Sequence, residues 1–112
     1  MELFKEYLEE YQPGRSVFYS NFGFATYTIG GEECYIDQIY VRPDKRKTGE
    51  AANMADAIVE IAKDLGCKYL TGSVSTDQKN EKRQTTSTKI LLAYGFQVFF
   101  ADKNMIWFKK GI

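Results

Sequence analysis

The sequence predicts a single α/β domain: a mixed, mostly antiparallel sheet with one parallel strand pair and helices on both faces. Three observations carry that prediction. The chain has 112 residues, enough for one compact domain and too few for two. Its apolar residues change period along the chain, falling at helical spacing in some stretches and clustering as β-branched and aromatic runs in others. One helical stretch, residues 51–65, lies between two strand-like runs. A right-handed crossover of that kind makes the two strands parallel.

The elements follow in order. Leu3, Phe4, Tyr7, Leu8 and Tyr11 recur at helical spacing with glutamates between them, and Pro13-Gly14 stops the helix. Residues 16–19 and 22–29 are rich in aromatic and β-branched types, with Asn21 at the turn between them. Gly30-Gly31 signals a hairpin into a third strand, Cys34 to Val41, which Arg42-Pro43-Asp44 ends. Ala51, Met54, Ala55, Ile58, Ile61, Ala62 and Leu65 then form one apolar stripe, and Gly66 sits where a left-handed residue would close that helix. Lys68 to Val74 reads as the strand parallel to Cys34–Val41. Ser75 to Thr88 reads as a polar connection, followed by a helix to about Tyr94 that ends at Gly95-Phe96. Residues 97–100 and 105–109 flank Asp102-Lys103-Asn104 as a closing hairpin. The expected order is α-β-β-β-α-β-α-β-β.

Composition removes several function classes. Fifteen basic residues balance fifteen acidic ones, so the chain lacks the basic footprint of a nucleic-acid binder or a membrane-surface protein. There is no histidine, which excludes Ser-His and Cys-His nucleophilic systems and the usual zinc sites, and no metal is expected. A general base must then be a carboxylate, a tyrosine, a thiolate or a positioned water. Cys34 and Cys67 form no C-x-x-C pair and are expected as buried small hydrophobes, near the starts of the two parallel strands. The first residues carry acids rather than the basic-then-apolar pattern of a signal peptide, and the uncharged run Ile90–Ala101 is far shorter than the ~20 residues of a membrane helix. A cytoplasmic location is expected.

The most informative segment runs from Ile36 to Ala51, IDQIYVRPDKRKTGEA. A helix N-terminus offers unpaired N–H groups and a partial positive charge, and so can bind phosphate. Gly49 removes a side chain where an anion must approach the backbone, while Arg46 and Lys47 add charge beside it. The spacing matches neither the Walker nor the Rossmann pattern. A solvated basic loop ahead of an amphipathic helix would have the same local composition.

With its surroundings, this segment resembles the GNAT superfamily of N-acetyltransferases. The signature there is a strand ending in an L-Y-V-x-P-like sequence, then [RQ]-x-x-G-x-[GA] opening a helix. Ile39-Tyr40-Val41-Arg42-Pro43 and Arg46-Lys47-Thr48-Gly49-Glu50-Ala51 match both parts. Gly66, Tyr69-Leu70 and Gly95-Phe96 follow in family order, and the resemblance spans roughly residues 16–110. It implies a GNAT-like fold that uses acetyl-CoA as co-substrate, with the pyrophosphate on the backbone of Arg46, Lys47, Thr48, Gly49, Glu50 and Ala51. It implies a pantetheine arm lying like an extra strand against Ile39, Tyr40 and Val41, a strand N–H polarising the thioester carbonyl, and direct attack by an amine. The acceptor, a small molecule or a protein segment, is left open. The resemblance also frames an alternative, a GNAT-fold module without turnover that serves as a partner-binding or structural protein.

The chain departs from that pattern at identifiable residues. The family's thiolate-protonating tyrosine, four residues before the G-F glycine, corresponds to Leu91. Tyr94 reads as packing. Ser87, one turn before Leu91 on the same face, is the candidate substitute. Asp37 on the motif strand is the candidate general base, expected to face solvent or a cleft, and an ordinary exposed strand acid fits it too; Glu33 is a weaker candidate. Gln78 or Asn80 would stand for a pantetheine-contacting asparagine. Glu50 puts a carboxylate inside the pyrophosphate motif, where it can also favour the helix dipole. One helix precedes the sheet where the family has a strand and two helices, so the pocket is either open to a large substrate or completed by a second subunit. A homodimer is compatible with the exposed terminal strands and small core.

Overall fold

A computed structural model of the chain describes residues 2–76 and 81–112, with 81–86 described by backbone alone. Helix α1 (Glu2–Tyr11) precedes three strands, β1 (Arg15–Tyr19), β2 (Gly23–Gly30) and β3 (Glu33–Val41). A 3-10 turn at Pro43–Lys45 leads to α2 (Glu50–Asp64), β4 (Tyr69–Ser75) and α3 (Glu81–Tyr94). The closing hairpin is β5 (Gln97–Ala101) and β6 (Met105–Gly111). The six strands form one sheet in the order β1-β2-β3-β4-β6-β5. β3 and β4 are the parallel pair and the other neighbours are antiparallel.

Side chains of directly paired residues share a sheet face, so the register sorts the core. Ala25, Tyr27, Cys34, Leu70, Val74 and Phe108 point to one face and pack with Met54, Ile58 and Ala62 of α2. Leu91 of α3 joins them, packed over Gly72. The opposite face presents Phe24, Thr26 and Tyr40. Helix α1 covers part of it through Phe4, whose ring lies 5.4 Å from that of Phe24, while its Leu8 is buried. Helices therefore lie on both faces, and the expected element order holds throughout.

The structure corrects the sequence reading in two places. The parallel pairing expected along all of Cys34–Val41 and Lys68–Val74 is confined to Glu33–Tyr35 against Tyr69–Thr71. The reason is a bulge in β3. Thr26 pairs with Gln38 and Tyr27 with Ile36, so Asp37 is an extra residue that bends β3 away from β4. The second correction concerns the polar connection expected over Ser75–Thr88, because α3 begins at Glu81. Its first two turns, EKRQTTST, carry no apolar residue to betray a helical period, and good helix formers such as Glu, Lys, Arg and Gln sustain it instead.

Candidate active site

The divergence of β3 from β4 opens a cleft in the sheet. From Ile36 to Val41, β3 is paired with β2 on one side, while β4 continues to pair with β6 as far as Ser75. The other edge of β3 thus offers backbone N–H and C=O groups to a ligand lying in the cleft. Ile39 and Tyr40 are 39% and 44% exposed along that edge, whereas Val41 turns into the core at 8%.

The loop at the open end of the cleft has a tightly curled, basic backbone that can receive an anion. Arg46 has φ −74°, Lys47 a positive φ of 63°, and Gly49 a positive φ of 87° directly before α2. The two left-handed residues, Lys47 and Gly49, curl the chain tightly ahead of α2, a turn conformation whose successive N–H groups can line a concave nest for an anion. Gly49 is the N-cap of α2 with no side-chain bond to the first turn, so the leading N–H groups of the helix are left for a ligand. A Cβ at Gly49 would meet nothing within 4 Å, which marks open space in front of the nest. Thr48 Oγ1 donates to Lys45 O at 2.6 Å and holds the loop's curvature. Arg46 Nε donates to Val41 O at 3.0 Å while its guanidinium lies 5.7 Å from the Tyr40 ring centre. That side chain therefore ties the strand end to the loop. Lys45 stacks over the Phe22 ring at 4.7 Å. Glu50 stands in the first turn of α2, half-buried beside half-buried Ala51. The structure brings all nine residues of the predicted strand-and-loop motif to one end of the sheet.

The candidate proton-handling residues fall in different surroundings. Asp37, expected to face solvent or a cleft, is the bulge residue and is only 14% exposed; its Oδ2 lies 3.0 Å from Arg15 Nε. Arg15 in turn donates to the Gln12 side chain just past α1, so one guanidinium links the N-terminal helix to the bulge. Glu33 Oε2 accepts a bond from Thr71 Oγ1 at 2.9 Å across the closed part of the parallel ladder. Ser87 is half-buried on α3, one turn before Leu91, which packs against Gly72. Tyr94 donates its hydroxyl to Asp56 Oδ1 at 2.5 Å, joining α3 to α2; burial first, and that carboxylate second, push its pKa upward. Gln78 and Asn80 lie outside the described residues.

Sequence reasoning missed two side chains that the fold brings to the point where the strands part. The Tyr35 and Ser73 hydroxyls are 2.7 Å apart, one on β3 and one on β4, and the Trp107 ring lies 6.0 Å from the Tyr35 ring. Only the register between these strands reveals the contact, and the register is not written in either strand alone.

Comparison with known proteins decides the family. The sequence profile of the Acetyltransferase (GNAT) family matches residues 2–84. The chain belongs to the GNAT acetyltransferase family. No curated protein sequence matches it. Among solved structures, GNAT-type neighbours superpose along nearly its whole length. PaiA N-acetyltransferase from Thermoplasma acidophilum, in complex with coenzyme A, has a TM-score of 0.77 at 14% identity, covering 99% of this chain and 69% of that one. A GNAT family acetyltransferase from Elizabethkingia anophelis with acetyl-CoA bound gives 0.72 at 16%, over 96% and 83%. An acetyltransferase from Bacillus cereus gives 0.73 at 18%, over 99% and 90%. At these identities the likeness is one of fold. In this GNAT chain the parted strands and the nest ahead of α2 lie at one end of that fold. Among the described residues no helix is long and apolar enough to cross a membrane.

Proposed function

We propose that this chain transfers an acetyl group from acetyl-CoA to an amine by direct attack in a ternary complex. The observation that carries the reading is the single-sided edge of β3 from Ile36 to Val41, running into the nest at Arg46–Ala51. In this reading the pyrophosphate rests on the N–H groups of Arg46–Ala51. The pantetheine arm pairs with Ile39–Val41 as an added strand, and a β3 N–H polarises the thioester carbonyl. Positioning and preorganised dipoles then supply most of the acceleration. Arg46 and Lys47 offset the charge that Glu50 brings to the nest. Asp37, the bulge residue, is the carboxylate that Arg15 holds at the point where β3 and β4 part. Ser87 lies about 6 Å along α3 from Leu91, toward the open end of β4.

A second reading, a GNAT-fold module that binds CoA without turnover, is favoured by one observation: Leu91 packs as an apolar core residue where a proton donor would serve the thiolate. One pair of measurements separates them. Calorimetry of acetyl-CoA and of free CoA on nucleotide-stripped protein should give micromolar binding to both. A thiol-release assay with a panel of primary amines should then report turnover. Binding without thiol release would select the module, and no binding at millimolar ligand would remove the assignment of the nest.

A further inference from the structure

We propose that the Tyr35–Ser73 hydroxyl pair is a neutral proton relay at the closed end of the cleft, carrying the proton lost by the attacking amine to the departing CoA sulfur. The proposal rests on the acetyl-transfer reading above and adds residues to it.

Position comes first. Tyr35 is the last β3 residue paired with β4, and Ser73 lies two residues beyond the partner of Tyr35, on the same face. Their 2.7 Å bond therefore spans the strands at the point where the ladder ends. From Val41, beside the nest, back to Ile36 is about 17 Å of extended strand. An extended pantetheine arm covers that length, which carries its sulfur to the Tyr35–Ser73 end. The face is also the accessible one, since α2 and α3 pack on the opposite side. Behind the pair, Thr71 is already bonded to Glu33, and that contact closes the row on the ladder side.

Hydrogen-bond inventory comes second. Each hydroxyl has one proton to donate and two lone pairs to accept. Their mutual bond consumes one O–H, whichever direction it runs. One O–H and several lone pairs are left, so the pair can accept a proton at one oxygen while releasing one at the other. In the reaction the amine nitrogen bonds the acetyl carbon, the C–S bond breaks with its electrons going to sulfur, and one proton moves from nitrogen to sulfur. The relay passes that proton without either hydroxyl changing its net charge. No group with a tuned pKa is then required, in a chain that has no histidine, has leucine at position 91, and holds Asp37 against Arg15.

The test uses the full chain with acetyl-CoA, the best amine from the thiol-release panel, and the variants Tyr35→Phe, Ser73→Ala, Ser73→Thr and the Tyr35→Phe/Ser73→Ala double. Acetyl-CoA affinity should stay within about twofold in all of them, while kcat falls roughly 100-fold in each of the first two and little further in the double. Ser73→Thr, which keeps the hydroxyl, should recover most of the rate. Rates in mixed light and heavy water should curve for the parent, with more than one proton in flight, and straighten in Tyr35→Phe. If Tyr35→Phe or Ser73→Ala keeps the parent kcat, the relay is overturned while acetyl transfer stands. Loss of acetyl-CoA binding along with kcat, unrescued by Ser73→Thr, would reduce the pair to a tie between strands and overturn the relay as well. A parent chain that releases no thiol with any amine overturns the acetyl-transfer reading, and the relay with it.

Discussion

Gly49 holds φ 87° and ψ 5° at the mouth of α2, a conformation that costs an L-residue about 1–2 kcal/mol. A side chain there would meet no neighbour but would project into the open space ahead of α2 where the proposed pyrophosphate would sit. Gly49→Val is therefore expected to fold, to lose about 1–2 kcal/mol of stability, and to weaken acetyl-CoA binding at least tenfold. Thermal unfolding and calorimetry read the two effects separately, and an unchanged Kd would take the loop out of the proposed site. Cys34 makes a different case. Burial first, and then the neighbouring Cys67 and Glu33, push its thiol up to about 12. Unfolded thiols ionise near 8.5, so between about pH 9 and 12 the unfolded chain gives up a proton that the folded one keeps. Stability should be flat below that window and fall with rising pH inside it. Denaturant titrations at pH 7, 9 and 10.5 measure the slope. Cys34→Ala should remove part of it, the remainder belonging to Tyr19, Tyr27 and Tyr94, which burial also raises.

Two glycines show how strands and helices constrain the site. Gly23 pairs with Val41 where β3 leaves the sheet for the loop, and a Cβ there would lie 2.0 Å from the Tyr40 carbonyl oxygen. The backbone must shift to admit it, at the strand that carries the exposed cleft edge. Gly72, by contrast, would place its Cβ 3.7 Å from the Leu91 side chain, an ordinary contact. Gly23→Ala should cost about 2 kcal/mol or more, and Gly72→Ala about 1 kcal/mol or less, by denaturant unfolding. Equal costs would mean that the backbone approach at Gly23 relaxes freely. Elements were legible from the sequence where a local device marks them. Pro13-Gly14 ends α1, Gly66 closes α2, and the apolar stripe from Ala51 to Leu65 carries its own period. The first turns of α3 lack such a device, and so did the bulge at Asp37, which appears only when β3 is laid against β2.

At the scale of the molecule, the sheet is covered unevenly. α2 and α3 lie on one face, α1 reaches only the β1–β3 side of the other, and β5 forms an outer edge. Val98, Phe99 and Phe100 are 52%, 55% and 55% exposed along that edge, a row of apolar side chains on a strand with free hydrogen-bonding groups. The bulge between Val98 and Phe100 twists the edge and opposes unwanted pairing. Phe100→Lys should therefore raise the concentration at which light scattering first appears on warming, with the far-UV spectrum unchanged; an earlier onset would show that Phe100 protects the fold instead.

The sequence by itself determined the fold class, the element order and the place of the basic, glycine-bearing loop ahead of α2, because each is carried by local patterns: period, breakers, caps, and a glycine ahead of a helix. Tertiary structure alone decided where the parallel ladder stops, that Arg15 meets Asp37, that Leu91 fills the space over Gly72, and that Tyr35 reaches Ser73. Those contacts join residues from 19 to 38 positions apart across strands and helices. Their register follows from how the whole core packs, since a shift of one residue would turn every side chain of a strand to the other face.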